Sequence, residues 1–331
     1  MMEKLIEQFP ANIEEALQIA NNASFKSPKN TIKNVVICGM GGSGIGGRLV
    51  SNWVLNEIKV PVQCFHDYVT PTYIDENTLV IASSYSGNTE ETLIFVEQAK
   101  SQGAHIIGVC SGGQLEAFCR TNDLDCIVVP GGNPPRTALA FSLVQLTNIL
   151  NKLGLISGIA LQQIESARQL LVSNNLNIKK EALKLAEFLN TKAVPVFYAE
   201  TPYEAVLVRA KQQFNENSKV LCWTHVIPEM NHNELVGWGG GDDRFAAVFF
   251  DTEDLLARNK KRVEITLEVI ASKTKLLTIK AKGNNQIERS FYLINIVDWA
   301  SFYLAELNNV DSIEIKIIER LKSELANFSD K

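Results

Sequence analysis

The sequence has little excess charge and no long apolar run, and these two absences narrow the range of functions. The 331 residues carry a net charge of −5, which gives no long-range attraction to nucleic acid or to an anionic membrane surface. No apolar run reaches the roughly 18 residues that a membrane span needs. The first 23 residues mix acidic with apolar positions, as in an amphipathic helix and unlike a secretory signal. We therefore expect a cytoplasmic protein with no nucleic-acid or membrane partner.

Histidine and cysteine are also scarce, and their spacing is not typical of a metal site. The chain has four histidines and six cysteines, with no CxxC pair. Several cysteines stand in apolar, strand-like runs such as VVIC at 35–38, where a reduced core thiol is expected. The sequence thus predicts neither a bound metal nor a set of disulfides.

Alternating strand-like and helical segments are what the sequence does contain. With 46% hydrophobic residues, the chain can form two globular domains with substantial cores. Strand-like runs alternate with helical segments over 35–130, and a similar alternation follows a helical stretch at 137–190. This layout predicts an α/β fold with two related domains, each a parallel sheet flanked by helices on both faces.

The same layout predicts where the domains begin and end. A helical segment covers 1–30, the first α/β domain covers 31–150, and a helical linker covers 151–190. The second α/β domain covers 191–331, and its last part has the pattern of an amphipathic helix.

The first glycine-rich loop, GMGGSGIGG at 39–47, follows the strand-like VVIC and opens a helix. Bare amides and the positive end of a helix can approach an anion there. Gly39, Gly41 and Gly44 also satisfy GxGxxG, and Asp67 follows the next strand, which imitates the fingerprint of a dinucleotide-binding dehydrogenase. This loop alone therefore leaves a dinucleotide and a phosphate ester as alternatives.

The next strand-to-helix junction, SSYSGNTEET at 83–92, favours the phosphate ester. Its four crowded hydroxyls belong to Ser83, Ser84, Ser86 and Thr89. Hydroxyls and free amides at a helix start suit a terminal phosphate, because they donate several hydrogen bonds to it. Helix capping is the alternative, but capping accounts for only one or two of the hydroxyls.

These two loops are similar to those of SIS (sugar isomerase) domains, which bind phosphosugars at the carboxyl ends of their strands. Three later segments resemble phosphoglucose/phosphomannose isomerases: PPRTALAFSL at 134–143, FNENSK at 214–219 and PEMNHNELVGW at 228–238. The resemblance implies two SIS domains, each a flavodoxin-like three-layer sandwich. It also implies a cofactor-independent aldose-ketose isomerase that interconverts glucose 6-phosphate and mannose 6-phosphate with fructose 6-phosphate.

The resemblance further implies roles for individual residues. The phosphate contacts that it implies are Gly42, Ser43, Ser84, Ser86 and Thr89. It places Arg136 beside the reacting carbons and makes Glu216 the base that transfers the proton. His232 and Lys322 become acid/base groups for ring opening, and the histidine is expected from the partner subunit of a homodimer.

One part of the chain departs from the family's pattern. The stretch DSIEIKIIERLK that leads to Lys322 lacks the proline-rich lead-in of the family. Ser312 is the nearest hydroxyl to the threonine that the family carries near this lysine. The departure bears on how the chain discriminates between the two configurations at C2.

The chemistry of the reaction is consistent with these residue types. A proton moves between C1 and C2 through an enediol, and one carboxylate such as Glu216 can serve both carbons. Arg136 presents a charged planar fork to the enediolate oxygen, and the imidazole of His232 can pass a proton to the ring oxygen. From the residues alone, each also has a structural alternative. These are a solvated helix-end acid at Glu216, a salt bridge at Arg136, a helix cap at His232 and the fringe of an apolar stripe at Lys322.

Three other functions remain as alternatives. A non-catalytic SIS sensor of sugar phosphates would not need Glu216 or Arg136, and it usually carries a DNA-binding domain, for which the segment 1–30 is short. An amino-sugar phosphate isomerase would share the fold, although no glutamine-hydrolysing domain is evident. A dehydrogenase would bind a nicotinamide cofactor tightly.

Overall fold

The computed structural model describes residues 1–191 and 193–328, and two parallel sheets organise it. The first sheet has five strands in the order β2-β1-β3-β4-β5. Its strands are β1 (Asn34–Cys38), β2 (Val62–Phe65), β3 (Thr78–Ser83), β4 (His105–Cys110) and β5 (Asp125–Val128). The helices that connect or follow them are α3 (Gly41–Val54), α4 (Glu90–Ser101), α5 (Gly113–Thr121) and α6 (Leu139–Lys152). Strand β3 is buried along its whole length, as its continuous apolar run requires.

The second sheet has four strands in the order β7-β6-β8-β9. Its strands are β6 (Val194–Glu200), β7 (Trp223–Ile227), β8 (Phe245–Asp251) and β9 (Lys275–Lys280). The helices of this half are α8 (Glu204–Ser218), α9 (Glu234–Gly237), α10 (Ala257–Ala271) and α11 (Gln286–Leu307). All pairings in both sheets are parallel, so the predicted α/β class and the flanking helices are confirmed.

A shared helical layer lies between the sheets. It contains α1 (Met2–Glu7), α2 (Phe9–Asn22) and the 31-residue α7 (Ile159–Leu189), together with α3, α6, α8 and α11. Alternate strand residues divide between this layer and the outside. Ile37 and Phe197 face the shared core, whereas Val36 packs in an outer core under α4 and α5. The two halves therefore fold around one continuous apolar core.

The last helix, α12 (Lys316–Ala326), spans 11 residues, and none of them is buried. Its apolar stripe of Ile317, Leu321 and Leu325 is exposed. Among the described residues, no helix is long and apolar enough to cross a membrane. The predicted division at 30, 150 and 190 stays a prediction, although α7 occupies most of the expected linker.

Candidate active site

The first candidate phosphate loop joins β1 to α3 at the carboxyl end of the first sheet. Gly39 passes so close to β3 that a Cβ atom there would lie 2.4 Å from the carbonyl oxygen of Ser83. Gly41 has a φ of +51°, which favours glycine. No side chain caps α3 in the described structure, so its first amides are open to an anion. Ser43 is buried, and its hydroxyl accepts a 3.0 Å hydrogen bond from the amide of Tyr85.

The second candidate loop joins β3 to α4, next to the first because β1 and β3 are neighbours in the sheet. The Ser84 hydroxyl is buried and donates to Thr89 Oγ1 at 2.9 Å. Thr89 stands at the N-cap of α4, yet its side chain accepts no hydrogen bond from the helix amides. The hydroxyl of the exposed Ser86 accepts a hydrogen bond from the Asn88 amide at 3.3 Å. Because the Thr89 side chain does not cap the helix, the loop geometry favours anion binding over helix capping.

Arg136 lies against the first of these loops. It sits in a 3-10 turn, Pro135–Thr137, that follows β5 at the same carboxyl edge. A Cβ atom on Gly42 would come within 3.0 Å of the Pro135 carbonyl oxygen, so the start of α3 packs directly on this turn. The five predicted phosphate residues and Arg136 therefore share one edge of the first sheet.

The guanidinium of Arg136 is 2% exposed and every one of its nitrogens has a partner. Nε donates to Asn217 Oδ1 at 2.8 Å, and Nη1 lies 3.3 Å from Glu216 Oε2. Nη2 donates to the carbonyl oxygens of Ser312 at 2.7 Å and Ile313 at 3.2 Å. Burial lowers the pKa of Arg136 from its ordinary value, and the negative charge of Glu216 opposes that shift. The contacts fix a charged, planar group at the edge of the site.

Glu216 lies near the end of α8 and reaches the site from the second half of the chain. Its side chain is 27% exposed, so a substrate can contact it, whereas Arg136 beside it is covered. Buried Asn217 ties the end of α8 to α11, because its side-chain amide donates to Ser301 Oγ at 2.9 Å. Lys219 caps the helix in a left-handed conformation and donates to the carbonyl oxygens of Glu216 at 2.6 Å and Glu314 at 2.7 Å.

Asn217 and Lys219 were missed by the sequence reasoning as parts of the site. Both stand in the segment 214–219, and the signal was a polar cluster at the end of an otherwise apolar helix face. The role of the segment 312–314 was also missed: Ser312 was considered for its hydroxyl, whereas the backbone carbonyls of the segment are what contact Arg136 and Lys219. Backbone contacts of this kind leave no trace in the residue types.

His232 does not lie with Glu216 in this chain. Helix α8 returns from β6 to the start of β7, so Glu216 lies at the amino edge of the second sheet. His232 follows β7 and is exposed at the opposite, carboxyl edge. A strand rises about 3.3 Å per residue, so the five residues of β7 alone separate the two edges by more than about 13 Å.

A hydrogen-bond network holds the segment that carries His232. His225 Nδ1 lies 2.7 Å from Glu234 Oε2, and the Tyr198 hydroxyl donates to the other oxygen of the same carboxylate. Trp238 Nε1 donates to the Tyr198 oxygen at 2.9 Å. The structure thus gives His225 and Glu234 a supporting role in this segment.

Lys322 is exposed on α12 and makes no hydrogen bond or ion pair among the described residues. The segment before α12 is nevertheless anchored at the site through Ser312 and Glu314. Within 1–191 and 193–328, no group of three or more His, Cys, Asp or Glu side chains has a geometry that holds a metal ion.

Comparisons with known proteins match both halves of the chain. The family model of the SIS domain matches residues 30–139, and that of the bacterial phospho-glucose isomerase C-terminal SIS domain matches residues 178–325. A bifunctional phosphoglucose/phosphomannose isomerase of Caldicellulosiruptor bescii is 39% identical over 97% of this chain and 98% of its own length. One from Thermoplasma acidophilum is 36% identical over 93% of this chain and 94% of its own.

A solved structure shows the same fold at low sequence identity. The C-terminal domain of glucosamine-fructose-6-phosphate aminotransferase from Francisella tularensis superposes with a TM-score of 0.78 at 18% identity. The match covers 95% of this chain and 98% of that one. At this identity the likeness shows the two-SIS-domain fold alone.

Proposed function

Because the chain belongs to the family of bifunctional phosphoglucose/phosphomannose isomerases, we propose that it interconverts glucose 6-phosphate and mannose 6-phosphate with fructose 6-phosphate. One observation carries the proposal at this site. A partly exposed carboxylate, Glu216, stands 3.3 Å from the buried guanidinium of Arg136, and the turn that carries Arg136 packs on the glycine-rich loop at 39–47. Base, cation and phosphate site thus converge from both halves of the chain.

The phosphate of the substrate is held by the two loops. The hydroxyls of Ser43, Ser84, Ser86 and Thr89, with the free amides at the starts of α3 and α4, donate hydrogen bonds to its oxygens. The end of the sugar away from the phosphate then lies toward Arg136 and Glu216. Charge-assisted hydrogen bonds of this kind fix the distance between the phosphate and the reacting carbons.

The proton transfer is assigned to Glu216. Its carboxylate removes the proton from C2 of the open-chain aldose and returns a proton to C1, while the proton of the C2 hydroxyl is transferred to the oxygen on C1, which gives the ketose. The negative charge that develops on the enediolate oxygen is stabilised by Arg136, which is already oriented by Asn217 and Ser312. Because the enediol is planar at C2, one base can serve glucose and mannose configurations alike. The hydrogen stays in the sugar or exchanges as a proton, so the reaction needs no oxidant.

Ring opening is assigned to His232 of a second copy of this chain, in a homodimer. The support is the position of His232 at the edge of the second sheet that faces away from its own Glu216. The neighbouring Val236 is 82% exposed, so the segment around His232 is open to contact from outside. Lys322 is the second candidate for this step, since α12 begins beside the site.

The test of the proposed function uses protein from which metal ions have been removed with a chelator. The formation of fructose 6-phosphate is measured with each aldose phosphate separately. We expect turnover of both sugars and a loss of about 100- to 10,000-fold in Glu216→Gln, because general base catalysis contributes that much. Glu204→Gln, at the exposed other end of α8, is the matched control and retains wild-type rates. No turnover of either sugar by the unmodified protein would favour a ligand-binding SIS protein without catalysis.

A further inference from the structure

A buried ion pair behind Arg136 has no part in the reaction as described so far. Arg209 of α8 is 1% exposed, and its Nη2 donates to both carboxylate oxygens of Asp298 on α11, at 2.9 and 3.1 Å. Gln213 Nε2 donates to the same carboxylate at 2.8 Å. Burying two charges costs several kcal/mol each, so such a pair adds little net stability. Stability alone therefore does not explain the pair.

The same nitrogen of Arg209 also contacts the active site. Nη2 donates to the backbone carbonyl oxygen of Arg136 at 2.7 Å. Arg136 is thus held twice, because Arg209 fixes its backbone while Asn217 and Ser312 fix its guanidinium. A shift of the turn would move the guanidinium away from Glu216.

The rest of the Arg209 guanidinium indicates that the pair is not optimised for stability. Nε and Nη1 of Arg209 are buried with no acceptor among the described residues. Each buried donor left without a partner costs about 1–3 kcal/mol. All hydrogen bonds of the Arg209 guanidinium are made by Nη2, which contacts both the Asp298 carboxylate and the Arg136 carbonyl.

We propose that Arg209, oriented by Asp298 and Gln213, is a positioning residue that fixes Arg136 for the isomerisation. This inference rests on the proposed function, since Arg136 acts on the enediolate there. Lysine does not replace Arg209, because an ammonium on a flexible four-carbon stem is not held where the rigid, planar guanidinium holds Nη2 between the Asp298 carboxylate and the Arg136 carbonyl.

The test is a double-mutant cycle with steady-state kinetics on glucose 6-phosphate. Arg209→Lys should lower kcat on the order of 10- to 100-fold, because small displacements of a reacting group cost that much, while KM changes less than about twofold. In an Arg136→Lys background the Arg209→Lys change should then have no further effect on kcat. If the falls in kcat of the two single variants multiply in the double variant, Arg209 acts independently of Arg136 and the proposal is overturned.

A control and a second readout keep folding and function apart. Arg289→Lys alters a partly buried ion pair, 3.0 Å from Asp254, that contacts no described site residue, and it should leave kcat unchanged. A crystal structure of the Arg209→Lys protein should show the Arg136 guanidinium displaced from Asn217 Oδ1. An unmoved Arg136 would overturn the positioning role. Failure of the proposed function would instead appear as inactivity of the unmodified protein, and the crystal structure would still decide the role of Arg209.

Discussion

Buried charges define the site at the scale of single residues. Arg136 lies almost wholly inside the protein, and its three nitrogens contact a carboxylate, an amide oxygen and two backbone carbonyls. Glu216, by contrast, keeps about a quarter of its side chain exposed. This difference matches their proposed tasks, because a stabilising cation must be fixed whereas a base must reach two carbons in turn.

The hydroxyls of the second loop give a residue-scale prediction. The double variant Ser84→Ala/Thr89→Val removes two donors to the phosphate, each worth about 1.5–3 kcal/mol when the acceptor is charged. We expect KM for glucose 6-phosphate to rise by roughly tenfold or more, measured by steady-state kinetics. Ser101→Ala, at the exposed other end of α4, is the control. If the hydroxyls serve only to start the helix, KM stays within about twofold of the wild-type value and only thermal stability falls.

At the scale of elements, the candidate site residues lie at the ends of helices and not along their faces. Helices α3 and α4 contribute their amino ends to the phosphate loops, and α8 contributes Glu216 from its carboxyl end. Lys219 complements the negative end of α8, where its ammonium contacts the Glu216 carbonyl. Burial lowers the pKa of Lys219 from its ordinary value, and neighbouring Glu314 opposes the shift. In a parallel sheet each connecting helix runs back from the carboxyl edge to the amino edge. The ends of the helices therefore collect at these two edges of the sheet.

The network that holds the segment 228–238 gives a prediction for an element. In Tyr198→Phe, Glu234 loses a donor and Trp238 Nε1 loses its acceptor. We expect the free energy of unfolding to fall by about 1–3 kcal/mol, since the buried Trp238 N–H is left without an acceptor. Urea denaturation measures this change. Tyr73→Phe removes the hydroxyl of a more exposed tyrosine and should change the stability much less. A Tyr198→Phe protein as stable as the wild type would contradict a supporting role for the network.

At the scale of the whole molecule, the two halves contribute different parts of one site. The first sheet presents the phosphate loops and Arg136 at its carboxyl edge, and the second half presents Glu216 at the amino edge of its sheet. The carboxyl edge of the second sheet, with His232, is left facing elsewhere. A second copy of the chain is the simplest means of bringing His232 to a site, because a two-fold axis supplies both sites at once.

Mixed dimers test this arrangement. Glu216→Gln and His232→Gln should each be inactive alone, yet a refolded mixture should regain about a quarter of wild-type activity, because half of the dimers then hold one intact site. The measurement is fructose 6-phosphate formation by the mixed sample against each variant alone. A mixture of Glu216→Gln with Arg136→Lys, whose changes fall in the same site of one chain, serves as reference. No recovery in the first mixture would place His232 in its own chain's site or outside the reaction.

The sequence by itself determined the α/β class and the parallel sheets, because apolar strand runs alternating with helical segments have few other solutions. It also predicted the two candidate phosphate loops, since glycines at 39–47 and hydroxyls at 83–92 act locally, within the loops that contain them. The candidate catalytic residues came from the resemblance and not from spacing. Arg136 and Glu216 are 80 positions apart, and residue types alone left each with a structural alternative.

Only the tertiary structure decided what stands around those residues. The carbonyls of 312–314, the amide of Asn217 and the Arg209 contact to the Arg136 backbone join segments far apart in the chain. It also separated His232 from Glu216, because opposite ends of one strand cannot meet however close they stand in the sequence. Local patterns specify elements and loops, whereas contacts between distant backbones and buried charges depend on how the two sheets pack around their shared helices.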